Sequence, residues 1–183
     1  MSISGPSGSG KTTLGNVLLR LLPPDTGHVD HSRALRGGRL QKLYQDPALA
    51  FAPRVRLRDS FGDVLRRHRL KPDRLEELMA LLRLAPALLQ RMPGQVSGGE
   101  LQRLAIIRSM LLEPALVFAD EPTSRLDLIT QEETISGLMD QVGRLGSTLI
   151  LVTHDEALAD AVTQRRLPLG LETGVGEATV ISG

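Results

Sequence analysis

Near the start of the chain, Gly5-Pro6-Ser7-Gly8-Ser9-Gly10-Lys11-Thr12 restricts what the sequence can fold into more than any other stretch does. Two glycines five apart, then lysine and a hydroxyl residue, form the phosphate-loop pattern, which carries weight only between a strand and a helix. That setting is present. Ile3 and its neighbours read as the end of a strand, and from Thr12 to Leu22 the residues Leu14, Val17, Leu18, Leu21 and Leu22 fall at helical spacing. The glycines let backbone N–H groups turn inward around phosphate oxygens, and the helix N-terminus adds partial positive charge. Gly5 to Gly10, with Lys11, Thr12 and Thr13 at the helix start, are therefore the candidate phosphate site. Within it Lys11 is suited to reach β- and γ-phosphates, and the Thr12 hydroxyl is suited to ligate Mg²⁺.

Further along, Pro23 and Pro24 stop the first helix, and Val29 and Leu40 to Tyr44 read as short strands. Helical periodicity returns from Asp59 to Arg69, from Asp73 to Leu84 and from Glu100 to Leu112. Ala115 to Ala119 and Thr148 to Val152 are unbroken apolar runs of strand length, as expected of strands buried on both faces of a parallel sheet. Helices from about Leu128 to Arg144 and from Asp155 to Thr163 alternate with them. The pattern predicts an α/β phosphate-loop core with a mainly parallel sheet, formed by residues 1–47 and 96–183, and a helical subdomain, residues 48–95, inserted in it.

Two further segments carry chemistry. The strand at 115–119 runs into Asp120-Glu121-Pro122, which puts two carboxylates at the carboxyl end of a buried strand, where ligands collect in open α/β sheets. Asp120 suits the Mg²⁺ shell, and Glu121 is the candidate base for an attacking water. Ser97-Gly98-Gly99-Glu100 opens a helix and is either a second anion site or a helix cap. As an anion site it implies a second chain, because one phosphate loop already holds one nucleotide.

Composition removes several alternatives. The 22 basic and 21 acidic side chains leave a net charge of +1, so no global field draws in a polyanion and no nucleic-acid partner is expected. Tyr44, Phe51, Phe61 and Phe118 are the only aromatics, too few for a base-stacking surface. The absence of cysteine excludes disulfides, thiolate catalysis and cysteine-ligated metals, and suits a reducing compartment. Apolar runs reach about five residues against roughly twenty needed to span a bilayer, and the Gly- and Ser-rich start is not expected to act as a secretion signal. Lysine occurs only at positions 11, 42 and 71 in an otherwise arginine-rich chain, so a retained lysine invites a chemical reason.

With these motifs in this order, nearly the whole chain resembles the ATP-binding-cassette ATPases. The resemblance implies ATP and Mg²⁺ as ligands, and a homo- or heterodimer in which ATP lies between the phosphate loop of one subunit and Ser97, Gly98, Gly99 and Glu100 of the other. It implies a Q-loop at Gln45, touching Mg²⁺ or the attacking water, a D-loop at Ser124-Arg125-Leu126-Asp127, and a switch histidine at His154 that meets the γ-phosphate. Catalysis would then rest on Lys11, Gln45, Glu121 and His154, metal binding on Thr12, Gln45 and Asp120, and nucleotide binding also on Asp127. Gln45-Asp46-Pro47 followed by Phe51-Ala52-Pro53-Arg54 resembles the oligopeptide, dipeptide and nickel importers, although Ala52 stands where asparagine is usual. This implies a peripheral subunit on the cytoplasmic face of the membrane, bound to transmembrane permease subunits. Their short docking helix is expected around Leu49, Phe51, Val55 and Leu57, whose spacing fits neither helix nor strand, with packing inside the lobe as the alternative.

The chain departs from the family pattern at Val96 and Glu100, where leucine and glutamine are commoner, and at Arg125, where a small residue is usual. Four residues precede the phosphate loop where the family has about forty, including an adenine-stacking aromatic and antiparallel strands. The expectation is a truncated or internally started chain, or a platform supplied otherwise, with ATP and GTP bound within a few-fold of each other and an aggregation-prone sheet edge. Two other classes fit less of the sequence: a soluble ABC protein acting in translation or DNA repair, and a degenerate partner subunit without turnover.

Overall fold

The computed structural model describes residues 1–36, 39–124 and 126–170, with the side chains of Ala34 and Arg36 outside the description. Five strands form one sheet in the order β2-β3-β4-β1-β5, comprising β1 Ser2–Ser4, β2 Leu40–Leu43, β3 Leu116–Asp120, β4 Thr148–Val152 and β5 Arg166–Pro168. All the described pairings are parallel, with β3 at its carboxyl end matching Asp120 to Val152 of β4 and β1 matching Ile3 to the same Val152. The α/β reading of the sequence therefore holds. Because every strand runs the same way, the segments after Ser4, Leu43, Asp120 and Val152 all emerge at one edge of the sheet.

Alternation along β3 and β4 splits the apolar residues between two cores. Leu116, Phe118, Ile150 and Val152 join Ile3 and Leu19 on the face covered by α1, Lys11–Leu18. Val117, Ala119, Leu149 and Leu151 join a larger core with α5, Gly98–Met110, and α6, Leu128–Leu145. Burial on both faces is what makes these strands read as continuous apolar runs. Gly15 lets α1 approach closely, since a Cβ there would lie 2.1 Å from Cζ of the fully buried Phe118 ring. The rest of the helical set is α2 Arg33–Arg36, α3 Leu57–His68, α4 Asp73–Leu81 and α7 Glu156–Val162.

Three differences from the sequence expectation have local causes. Helix α1 ends at Leu18 and not at Leu22, because Arg20 adopts φ 58° and the Leu21 and Leu22 N–H groups both turn back to the Asn16 carbonyl. The chain has thus left the helix before the prolines, consistent with their bias against helix in the residue ahead. No strand forms at Val29, a single apolar residue in a polar stretch turned by Gly27 at φ 77°. Strand β5 is a third difference. Its three residues pair with all of β1, yet they are too few to show a period in sequence.

The helical segment after β2 opens with a 3₁₀ turn, Pro47–Ala50, capped by Asp46, whose carboxylate accepts the Ala48 N–H at 3.0 Å. Here the docking expectation needs correction. Phe51 and Leu57 are buried, Phe51 lying edge-on to Phe61 at 5.9 Å between ring centroids, with the Arg108 guanidinium 6.0 Å from its ring. The irregular spacing arises because Phe51 closes the 3₁₀ turn and drops inward, while Leu57 already belongs to the buried face of α3. Leu49 alone of the four is strongly exposed, and Val55 is partly buried. Phe51→Asp is accordingly expected to cost about 4 kcal/mol or more, since Phe→Ala in a core costs roughly 3–5 kcal/mol and the carboxylate adds desolvation. Urea denaturation would show it, and a midpoint equal to that of the unaltered chain would return Phe51 to the surface.

Candidate functional site

The loop between β1 and α1 turns through Gly8 at φ 80° and Gly10 at φ 89°, left-handed conformations that L side chains rarely adopt. Gly10 is also the N-cap, its carbonyl accepting the Leu14 N–H at 2.8 Å, so the first-turn N–H groups of α1 face the loop. Lys11 folds back over this loop, its Nζ donating to the Gly5 and Pro6 carbonyls at 2.9 and 2.8 Å. Ser7, Gly8, Gly10, Thr12 and Thr13 are exposed at the same end, while Pro6 and Ser9 complete the turn through the Ser9 N–H to Pro6 carbonyl bond of 3.2 Å.

Strand β3 delivers both carboxylates to this edge. The Thr12 hydroxyl donates to Asp120 Oδ2 at 2.7 Å, joining residues 108 positions apart. A hydroxyl and a carboxylate so close form an all-oxygen donor set, which suits a hard divalent cation such as Mg²⁺. Glu121 then leaves the strand at φ 47°, but its N–H still donates to the Val152 carbonyl at 2.9 Å. That bond holds Glu121 beside the residues that follow β4. His154 Nε2 lies 2.7 Å from Glu121 Oε1, and Gln45 Nε2 donates to Glu121 Oε2 at 3.0 Å. Ser124 Oγ donates to the Glu121 carbonyl at 3.2 Å and accepts from Gln45 Nε2 at 3.5 Å, a contribution that the sequence did not reveal.

The fold thus brings Lys11, Thr12, Gln45, Asp120, Glu121 and His154 to the carboxyl edge of one sheet. Sequence reasoning assigned no role to Lys42, whose Nζ donates to Asn16 Oδ1 at 2.8 Å and lies 4.0 Å from Asp120 Oδ2. Burial lowers the ammonium below its usual range, and the Asp120 charge pulls it back up.

Ser97 to Glu100 sit elsewhere, at the start of α5, in a reciprocal cap. Ser97 Oγ accepts the Glu100 N–H at 3.3 Å, while Glu100 Oε2 accepts the Ser97 N–H and hydroxyl at 2.8 and 2.9 Å. These bonds, with smaller help from Arg91 and Arg103, hold the Glu100 carboxyl below its usual range. The carboxylate is engaged in fixing Ser97. Gly98 has open space where a Cβ would stand, and at Gly99 a Cβ would lie 2.7 Å from the Thr130 methyl. Asp127 caps α6, accepting the Thr130 N–H at 3.0 Å and hydroxyl at 2.7 Å, and these bonds lower its carboxyl. Among the described residues, no hydrogen bond or ion pair joins Ser97–Glu100 or Asp127 to the phosphate loop, and Arg125 lies outside them.

A family model described as ABC transporter matches residues 1–124. This chain belongs to the ABC transporter family. The Escherichia coli oligopeptide transport ATP-binding protein OppF is 31% identical over 93% of the chain, which spans 56% of that protein's length. A Brucella ovis relative named for ATP binding in peptide import is 33% identical over 93% of the chain, again with only 59% of the relative covered. Among solved ABC cassettes, the dimeric post-hydrolysis state of MJ0796 bound to ADP and Pi superposes with a TM-score of 0.75 at 27% identity, covering 92% of this chain and 79% of that one. The ABC match ends at Ser124 and therefore contains the Ser97 cap, Asp120 and Glu121, but neither Asp127 nor His154.

Proposed function

We propose that the chain binds ATP with Mg²⁺ and hydrolyses it to ADP and phosphate as the nucleotide-binding subunit of a solute importer. One observation carries this reading: Glu121 is held by Gln45 and His154 at the same sheet edge as Lys11 and the Thr12–Asp120 pair. Lys11 meets the β- and γ-phosphates, and the N–H groups from Gly8 to Thr13 surround their oxygens. Thr12, Asp120 and Gln45 would hold Mg²⁺, which when bound neutralises phosphate charge. Glu121 orients a water and takes its proton at a carboxylate oxygen, Gln45 fixes the rotamer of that carboxylate, and His154 exchanges its contact with Glu121 for donation to the γ-phosphate when nucleotide is bound.

A second copy, or a related subunit, completes the site by presenting Ser97, Gly98 and Gly99, with Glu100 keeping the Ser97 hydroxyl oriented and Asp127 at the dimer seam. Residues 48–95 act as an inserted lobe that contacts transmembrane permease subunits at the cytoplasmic face of the membrane. The contact surface lies around the strongly exposed Leu49 at the start of that lobe. Peptide is the favoured solute, from the names of the relatives, with nickel the remaining expectation. Co-purification with membrane-spanning proteins, together with phosphate release from Mg-ATP, supports this reading. Recovery with ribosomes or DNA moves the chain to the soluble class, and no phosphate release in a folded sample rejects turnover.

A further inference from the structure

Lysine is kept at only three positions, and Lys42 is the one buried in a strand of the sheet. Its side chain is 8% exposed and that of Asp120 is 11% exposed. The ammonium is fixed from three sides. It donates to Asn16 Oδ1 at 2.8 Å, stands 5.2 Å from the centroid of the Tyr44 ring, and faces Asp120 Oδ2 at 4.0 Å. That same Asp120 oxygen takes the Thr12 hydroxyl hydrogen at 2.7 Å. One carboxylate oxygen of the proposed cation site is therefore already faced by a positive charge belonging to the chain.

We infer that Lys42 is a positioning residue that acts as a built-in counter-cation for Asp120, weakening the hold of this site on Mg²⁺ and making nucleotide binding less dependent on it. This rests on the Mg-ATP reading of the site. Two unit charges 4 Å apart with both side chains nearly out of solvent are poorly screened, so the ammonium and an entering divalent cation repel each other strongly. Asn16 Oδ1 holds the Lys42 ammonium at 2.8 Å, on the side of the carboxylate that it faces. Without the divalent ion the same charge offsets Asp120, which would otherwise repel the phosphates from beside Thr12. Both effects shrink the difference between nucleotide affinity with Mg²⁺ and without it. A tether between α1 and β2 that had no electrostatic role would alter stability and leave that difference alone.

The test is an equilibrium titration of the full chain with methylanthraniloyl-ATP by fluorescence, in excess Mg²⁺ and in EDTA. The unaltered chain is expected to lose less than about tenfold in affinity in EDTA. Lys42→Met, which keeps the stem and removes the charge, is expected to enlarge that loss at least tenfold, with tighter binding in Mg²⁺ and weaker binding in EDTA. A loss above 100-fold in the unaltered chain overturns the inference without any variant. So does a Lys42→Met ratio within twofold of the unaltered chain in a sample that melts cooperatively. Absence of binding in both media instead removes the nucleotide reading, and this inference with it.

Discussion

Glu121→Gln is expected to lower ATP turnover by a factor of about 10² to 10⁴ while leaving nucleotide affinity within a few-fold of the unaltered chain. The substitution keeps length, shape and the ability to accept a hydrogen bond, and it places no new demand on the backbone at φ 47° beyond what glutamate already meets. What it removes is a basic oxygen. In the structure both carboxylate oxygens are spoken for, one by Gln45 at 3.0 Å and one by His154 at 2.7 Å, so the group is held in one rotamer. Holding costs rotamer entropy in advance and leaves less to lose when a water is bound. With hydrolysis slowed and binding intact, the ATP-bound dimer should accumulate. Phosphate release measured beside gel filtration in Mg-ATP separates the two effects. Turnover at the level of the unaltered chain, or a variant that stays monomeric at micromolar concentration with nucleotide bound, counts against the two-chain site.

How much of this was legible depends on how far apart the cooperating residues lie. The phosphate loop is contiguous, so its spacing together with the apolar residues on either side announced a strand, a turn and a helix, and the structure supplies all three. Asp120 and Glu121 were readable because two carboxylates at the carboxyl end of a buried strand stand where ligands collect in a sheet that also carries a phosphate loop. Gln45 and His154 carried no such local signal, and they came from the resemblance; their meeting at Glu121 follows from parallel strands opening onto one edge. The Glu100 cap shows the converse. The helix cap offered as one reading of Ser97-Gly98-Gly99-Glu100 is present, with the Glu100 carboxylate fixing Ser97, and the coordinates add the bond lengths. For Phe51 docking and lobe packing both stayed open in sequence for a related reason: a proline-flanked turn has no period, so burial there is set by what lies above it, here Phe61 and Arg108. Lys42 was flagged by rarity alone, because its partners Asn16 and Asp120 come from other elements.

Lys11→Ala should reduce phosphate release to background and weaken nucleotide binding at least tenfold. Lys11 is the buried cation of the phosphate loop, and its ammonium has three donors, two of which are on the Gly5 and Pro6 carbonyls at 2.9 and 2.8 Å. Those bonds brace the loop in the shape that aims its N–H groups, so alanine removes both a charge and a brace. The two losses can be told apart. Two hydrogen bonds at a partly buried site are worth roughly 1–3 kcal/mol in stability, which lowers the melting temperature but leaves most of the protein folded if its total stability is about 5–15 kcal/mol. Loss of the charge acts on the phosphates and appears in affinity and turnover. Lys11→Arg sharpens the distinction, because the planar guanidinium keeps the charge but cannot reach past the loop as a compact point charge, so turnover should stay lost. Thermal melts and methylanthraniloyl-ATP titration on both variants provide the comparison. If turnover in Lys11→Ala, corrected for the folded fraction, equals that of the unaltered chain, Lys11 is only a brace and the phosphate-loop assignment falls.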